Sequence, residues 1–187
     1  MKKKIVIFIS GRGTNALNII NQFRDSDEIS VTNVYSNNKN SPFFNSQDDS
    51  KVSTSCFSND QLSSSVFEEL KTIDPDLIVL AGFLRKIPDT YIDYFENKII
   101  NIHPSILPSY GGKGMYGSKI HNKVIENNET ETGITIHYVS NQYDSGEIIF
   151  QKKISIEDNE TARSIEEKIH ILEYEYYPKV IQSLLIK

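Results

Sequence analysis

The chain has 187 residues, a formal net charge of −5 at pH 7, 38% hydrophobic and 24% charged residues, and one cysteine. That length suits one domain with a sizeable core, and the acidic balance argues against a general nucleic-acid binder, whose surface must be basic. The lone Cys56 excludes an internal disulfide and points to a reducing compartment. The apolar run after Met1-Lys2-Lys3-Lys4 stops at Ser10-Gly11-Arg12-Gly13, too early for a secretion-signal core. No apolar stretch approaches the roughly 20 residues of a membrane span. A cytoplasmic protein is therefore expected, with neither membrane nor nucleic acid as partner.

Lys4–Ile9 is an unbroken apolar run rich in β-branched residues, which predicts a buried parallel strand. A glycine-containing turn follows, then Leu17, Ile20 and Phe23 at helical spacing. Ile29–Tyr35 reads as a second strand, and the polar Asn37–Asp49 stretch with Pro42 as loop or poor helix. Val52–Phe57 is a short strand candidate. Val66, Phe67 and Leu70 mark a helix that ends before the turn Asp74-Pro75-Asp76. Leu77–Ala81 is another apolar strand, Pro88 opens a helix running to Phe95, and Lys98–Ile102 is a further strand. This alternation predicts an α/β protein: an open, mostly parallel twisted sheet with helices on both faces.

The second half changes character. Tyr116, Ile120 and Val124 predict a helix across Met115–Asn127. Thr132–Val139 alternates in polarity, and with Ile148–Ile156 it predicts a hairpin-like pair of antiparallel edge strands around the turn Asn141–Gly146. Ala162–Leu185 carries a long helical pattern that Pro178 should kink or split. No repeat and no linker divides the chain, so 1–187 is read as a single domain.

In an open sheet of this kind ligands sit beyond the carboxyl ends of the strands. Ser10-Gly11-Arg12-Gly13-Thr14-Asn15 lies between a strand and a helix, where free N–H groups can hold a phosphate. A plain tight turn is the alternative. With Ala16 the loop also fits a dinucleotide fingerprint, but no acid closes the second strand, so a sugar phosphate fits better. Asn101 and His103 alternate along a strand and leave the same face. They place an amide donor beside an imidazole, suited to an oxyanion and a proton, unless both are structural. Asp144, in Tyr143-Asp144-Ser145-Gly146, could orient a histidine or be an ordinary turn residue. His137 is either site-lining or structural. His121 and His170 read as helix-surface residues, and the four histidines lack metal-ligand spacing, so no metal is expected.

Taken in order, Ser10–Asn15, Leu80-Ala81-Gly82-Phe83-Leu84-Arg85, Asn101–Pro108, Gly133–Val139 and Asp144-Ser145-Gly146 resemble the folate formyltransferase superfamily, and within it the phosphoribosylglycinamide formyltransferase family. The resemblance extends through Tyr177-Pro178. It implies a Rossmann-like formyltransferase fold and transfer of a formyl group from 10-formyltetrahydrofolate to the amine of glycinamide ribonucleotide, in purine synthesis. Residues 1–100 would then form the ribonucleotide-phosphate half, and 101–187 the catalytic and folate half. Gly11, Arg12, Gly13, Thr14 and Asn15 would bind the acceptor together with Glu173, while Leu84, Arg85, Lys86, Ile87 and Asn101 would face the folate. Asn101, His103 and Asp144 match the family's catalytic set. Either a monomer or a homodimer is compatible with this reading. The chain departs from the family at Phe57-Ser58-Asn59-Asp60-Gln61, where an arginine is common, and at the loop Gly111-Gly112-Lys113-Gly114.

Overall fold

The computed structural model of the protein describes residues 1–48 and 51–186. Asp49, at the end of the expected Asn37–Asp49 loop, lies outside them. Seven strands form one sheet: β1 (Lys3–Ile9), β2 (Ile29–Ser36), β3 (Ser53–Cys56), β4 (Leu77–Leu80), β5 (Ile99–His103), β6 (Glu131–Tyr138) and β7 (Ile148–Ser155). The helices are α1 (Thr14–Phe23), α2 (Phe43–Ser46), α3 (Asn59–Leu62), α4 (Ser65–Ile73), α5 (Asp89–Tyr94), α6 (Ser118–Glu126) and α7 (Ala162–Leu185). The strand order is β3-β2-β1-β4-β5-β6-β7. The first five strands pair in parallel, whereas β5–β6 and β6–β7 pair antiparallel.

The apolar run of β1 is continuous because both of its faces are covered. Ile5, Ile7 and Ile9 pack with Ile19 of α1, Ile120 of α6 and Ile165, Ile169 and Ile181 of α7. Val6 and Phe8 point the other way, into Leu70 of α4, Tyr91 of α5 and the rings of Tyr35 and Phe57. The chain runs outward from β1 to β2 and β3, then returns to the other side of β1 with β4. This reversal opens a crevice at the carboxyl ends of β1 and β4, where an open α/β sheet binds its ligands.

Three expectations need correction. The hairpin supplies one edge strand rather than a pair, because β6 is bonded to β5 as well as to β7. The helix expected over Met115–Asn127 begins only at Ser118. Gly117 precedes it at φ 54°, so Met115 and Tyr116 belong to a loop. Pro178 does not split α7, which runs unbroken through it. A proline in a helix leaves the carbonyl four residues earlier without its donor. Here that carbonyl is on Tyr174, and the Asn18 side-chain amide of α1 donates to it at 2.9 Å.

Candidate active site

A cavity of about 300 Å³ opens at the carboxyl ends of β1, β4 and β5. One wall is the loop Gly11–Asn15. Gly13 sits in the left-handed region at φ 71°, and a Cβ there would lie 2.8 Å from the Phe43 ring, so glycine is required twice over. The loop's carbonyls are held elsewhere: Asn38 Nδ2 donates to Ser10 O, Ser41 Oγ to Gly11 O, and Leu17 N to Gly13 O. Among the described residues no carbonyl or side chain accepts from the N–H groups of residues 11–15. Unpaired donors at the start of α1 suit an anion. Arg12 is exposed on the same wall and makes no ion pair among the described residues.

Asn101 and His103 do share a face of β5, and the antiparallel ladder sets His137 opposite Asn101 and Thr135 opposite His103. The stretch after β5 is tied to β6 and β7 through Thr135. Its Oγ1 donates to Ser105 O at 2.7 Å and accepts from Leu107 N and from Gln151 Nε2. So fixed, the stretch brings the Tyr110 carbonyl to 2.8 Å from His103 Nε2. A carbonyl only accepts, so Nε2 carries the proton, and Nδ1 faces Asp144 Oδ1 at 3.6 Å. Asp144 reaches this point from the β6–β7 turn with φ 52°, and its Oδ2 accepts from Gly112 N at 2.9 Å. The turn closes tightly behind it: a Cβ on Gly146 would lie 1.7 Å from the Tyr138 carbonyl oxygen.

His137 belongs to the same group. Its Nδ1 donates to the Tyr138 carbonyl at 2.8 Å, which leaves Nε2 as the acceptor for the Asn101 amide at 3.2 Å. Burial holds the His137 pKa below the ordinary imidazole value, against the opposing pull of the Tyr138 carbonyl and Asp144. A neutral His137 fixes which end of the Asn101 amide is the donor, and the second amide N–H is then free for the cavity, which Asn101 lines. Asn101, His103 and Asp144 thus converge as an amide donor, an imidazole and a carboxylate. That set can stabilise an oxyanion and move a proton.

The wall formed by α6 and α7 adds two histidines that local sequence does not assign to the site. Glu173, buried at 6% exposure, accepts on one oxygen from Asn15 Nδ2 at 2.9 Å and from His170 Nδ1 at 3.1 Å. This places the predicted Glu173 beside the loop. His170 and His121, expected on helix surfaces, both line the cavity instead, and His121 is only 2% exposed. The Glu173 hydrogen bond raises the His170 pKa, whereas burial lowers that of His121. His121 lies between Ile120 and Val124, the apolar stripe that turns α6 toward α7. Its place on that stripe was the available signal.

A smaller cavity of about 60 Å³ shares Phe83, Asn101, Tyr143 and Asp144 with the first. Arg85, Lys86 and Ile87 line it together with His137 and Val139, while Leu84 lines the larger cavity. Ser10 Oγ accepts from Leu84 N and so ties the start of this segment to the glycine loop. The stretch 57–61 contributes to neither cavity. Among the described residues no cluster of three or more His, Cys, Asp or Glu could hold a metal ion, and no helix is long and apolar enough to cross a membrane.

Comparison with known proteins gives the arrangement a context. The profile of the formyl transferase family matches residues 3–181. The phosphoribosylglycinamide formyltransferase of Bacillus subtilis is 32% identical over 98% of this chain and 95% of its own length. The chloroplastic enzyme of the same name from Vigna unguiculata is also 32% identical over 98% of the chain, which spans 61% of that longer protein. The crystal structure of phosphoribosylglycinamide formyltransferase from Bacillus halodurans superposes with a TM-score of 0.88 at 31% identity, covering 99% of this chain and 96% of that one. The chain belongs to the formyl transferase family, in its phosphoribosylglycinamide formyltransferase group.

Proposed function

We propose that the protein carries the formyl group of 10-formyltetrahydrofolate to the amine of glycinamide ribonucleotide by direct attack, with Asn101, His103 and Asp144 as the reacting groups. The observation that supports this most is their convergence: Asn101 and Asp144 line both cavities, and His103 lines the larger one with Nδ1 3.6 Å from Asp144 Oδ1. The phosphate of the acceptor takes the N–H groups of Gly11, Arg12, Gly13, Thr14 and Asn15, with Glu173 against its sugar. The folate takes the smaller cavity along Arg85, Lys86 and Ile87, with Leu84 reaching it from the larger cavity beside it.

The uncharged amine attacks the formyl carbon, and the carbonyl oxygen becomes an oxyanion. The free amide N–H of Asn101 and the imidazolium form of His103, which adds a proton on Nδ1 to the one on Nε2, stabilise that oxygen. Collapse breaks the bond between the formyl carbon and folate N10. The amine gives up a proton and N10 gains one, and His103 and Asp144 are placed to pass it. Orienting the two substrates across one boundary supplies much of the remaining acceleration.

An absorbance assay for released folate on purified protein tests the reading. Folate release that requires glycinamide ribonucleotide is the expected result. Release at the same rate without the ribonucleotide would make the protein a hydrolase of the formyl-folate and would overturn the assignment.

A further inference from the structure

The proposed mechanism does not use His121. Its ring is 2% exposed, lines the larger cavity and makes no hydrogen bond with any described residue. Nδ1 is sealed from solvent and unpartnered. A buried N–H without an acceptor is rarer in proteins than an unfilled lone pair. The sealed Nδ1 therefore keeps its lone pair, and the proton sits on Nε2, the nitrogen left to the cavity. Burial holds the ring neutral even though Glu166 and Glu173 of α7 face it, together with His170 of α7 and His103 of β5. The ring thus shares one cavity with Glu173, beside the glycine loop, and with His103 of the reacting corner, and feels the charge of both.

We infer that His121 is a positioning residue of the acceptor site: a neutral N–H donor for an uncharged oxygen of the acceptor, on its sugar or its amide carbonyl, between phosphate and amine. The inference rests on the formyl-transfer reading above, because the acceptor's two ends define what lies between them. An uncharged oxygen is the fitting partner. The acidic wall of Glu166 and Glu173 repels an anion, and a neutral imidazole offers a proton without adding charge.

The test is steady-state kinetics of His121→Phe and His121→Gln beside the wild type. Phenylalanine keeps the bulk and loses the donor, and glutamine keeps a donor. In His121→Phe the acceptor KM should rise about tenfold, the scale of one neutral hydrogen bond. The folate KM and kcat should move by less than about threefold, and Tm should hold or rise because an unpartnered polar group has gone. His121→Gln should recover most of the lost affinity. Ribose 5-phosphate as a competing ligand separates the two oxygens: its inhibition weakens in His121→Phe if the sugar is read and is unchanged if the carbonyl is read. An unmoved acceptor KM, with or without a fall in Tm, would assign His121 to packing and overturn the inference. If His121→Phe does not fold, ¹⁵N NMR of the wild-type ring decides, since the Nε2 resonance must shift on saturation with glycinamide ribonucleotide. Absence of any wild-type turnover would instead reject the formyl-transfer reading.

Discussion

The parallel side of the sheet and the antiparallel corner build their parts of the site by different means. After β1 the proposed acceptor site is polypeptide backbone: glycine allows the turn, the Asn38 and Ser41 side chains and the Leu17 N–H occupy carbonyls of the loop, and the N–H groups of residues 11–15 remain. Around β5 and β6 the proposed reacting groups are side chains, and the ladder places Asn101 against His137 and His103 against Thr135. A backbone site tolerates change in most side chains but not in local conformation. A register-built site tolerates conformational detail elsewhere but not loss of one polar atom.

Substitutions on the two sides should separate accordingly. Asn101→Ala removes an oxyanion donor and should lower kcat on the order of 100- to 1000-fold, with acceptor affinity nearly intact. Stopped-flow and steady-state assays would measure it, and near-normal kcat would take Asn101 out of the mechanism. Gly13→Ala should reverse the pattern. Its φ of 71° and the Phe43 contact at 2.8 Å strain the loop by about 1–2 kcal/mol. The acceptor KM should therefore rise about tenfold while kcat changes little, and a kcat defect without a KM defect would erase the distinction between the two regions.

Smaller effects sharpen the picture of the wall between them. His121 and His137 both have pKa values held below the ordinary 6.5, chiefly by burial. The unfolded chain therefore takes up protons first as pH falls through 6.5, and folding stability drops across that window. His170, raised by Glu173, acts oppositely: its contribution is full below 6.5 and is lost as pH rises through its folded pKa. Between about pH 7.5 and about pH 5.5 the urea midpoint should fall less in His121→Phe than in the wild type. An equal fall would show that His121 is not held neutral. Asn18→Ala removes the donor that serves the Tyr174 carbonyl ahead of Pro178. It should cost about 1 kcal/mol in chemical denaturation and leave kcat unchanged.

The same contrast governs which features are legible in the sequence. Apolar runs such as Lys4–Ile9 and Leu77–Ala81 reveal strands because both of their faces are buried. The period-2 rule of a strand then puts Asn101 and His103 on one face from residue spacing alone. Long-range pairing carries no such local mark. That Asp144 meets His103 depends on a turn more than forty positions away, and that His121 and His170 line the cavity depends on how α6 and α7 meet. Pro178 misleads for the same reason, since its rescuing partner, Asn18, lies in the first helix. Met115 and Tyr116 have helical spacing but precede a glycine at φ 54°, which starts the helix later.

In the proposed function the corner of Asn101, His103 and Asp144 performs the transfer, while the glycine loop and the α7 wall only bind. Paired measurement on His103→Ala tests it most directly, with glycinamide ribonucleotide affinity by calorimetry and formyl transfer by absorbance on the same sample. The expected result is acceptor affinity within about threefold of the wild type and a loss of turnover of about 100- to 10,000-fold, the range of a general acid–base group. Turnover within about tenfold of the wild type at unchanged affinity would contradict it.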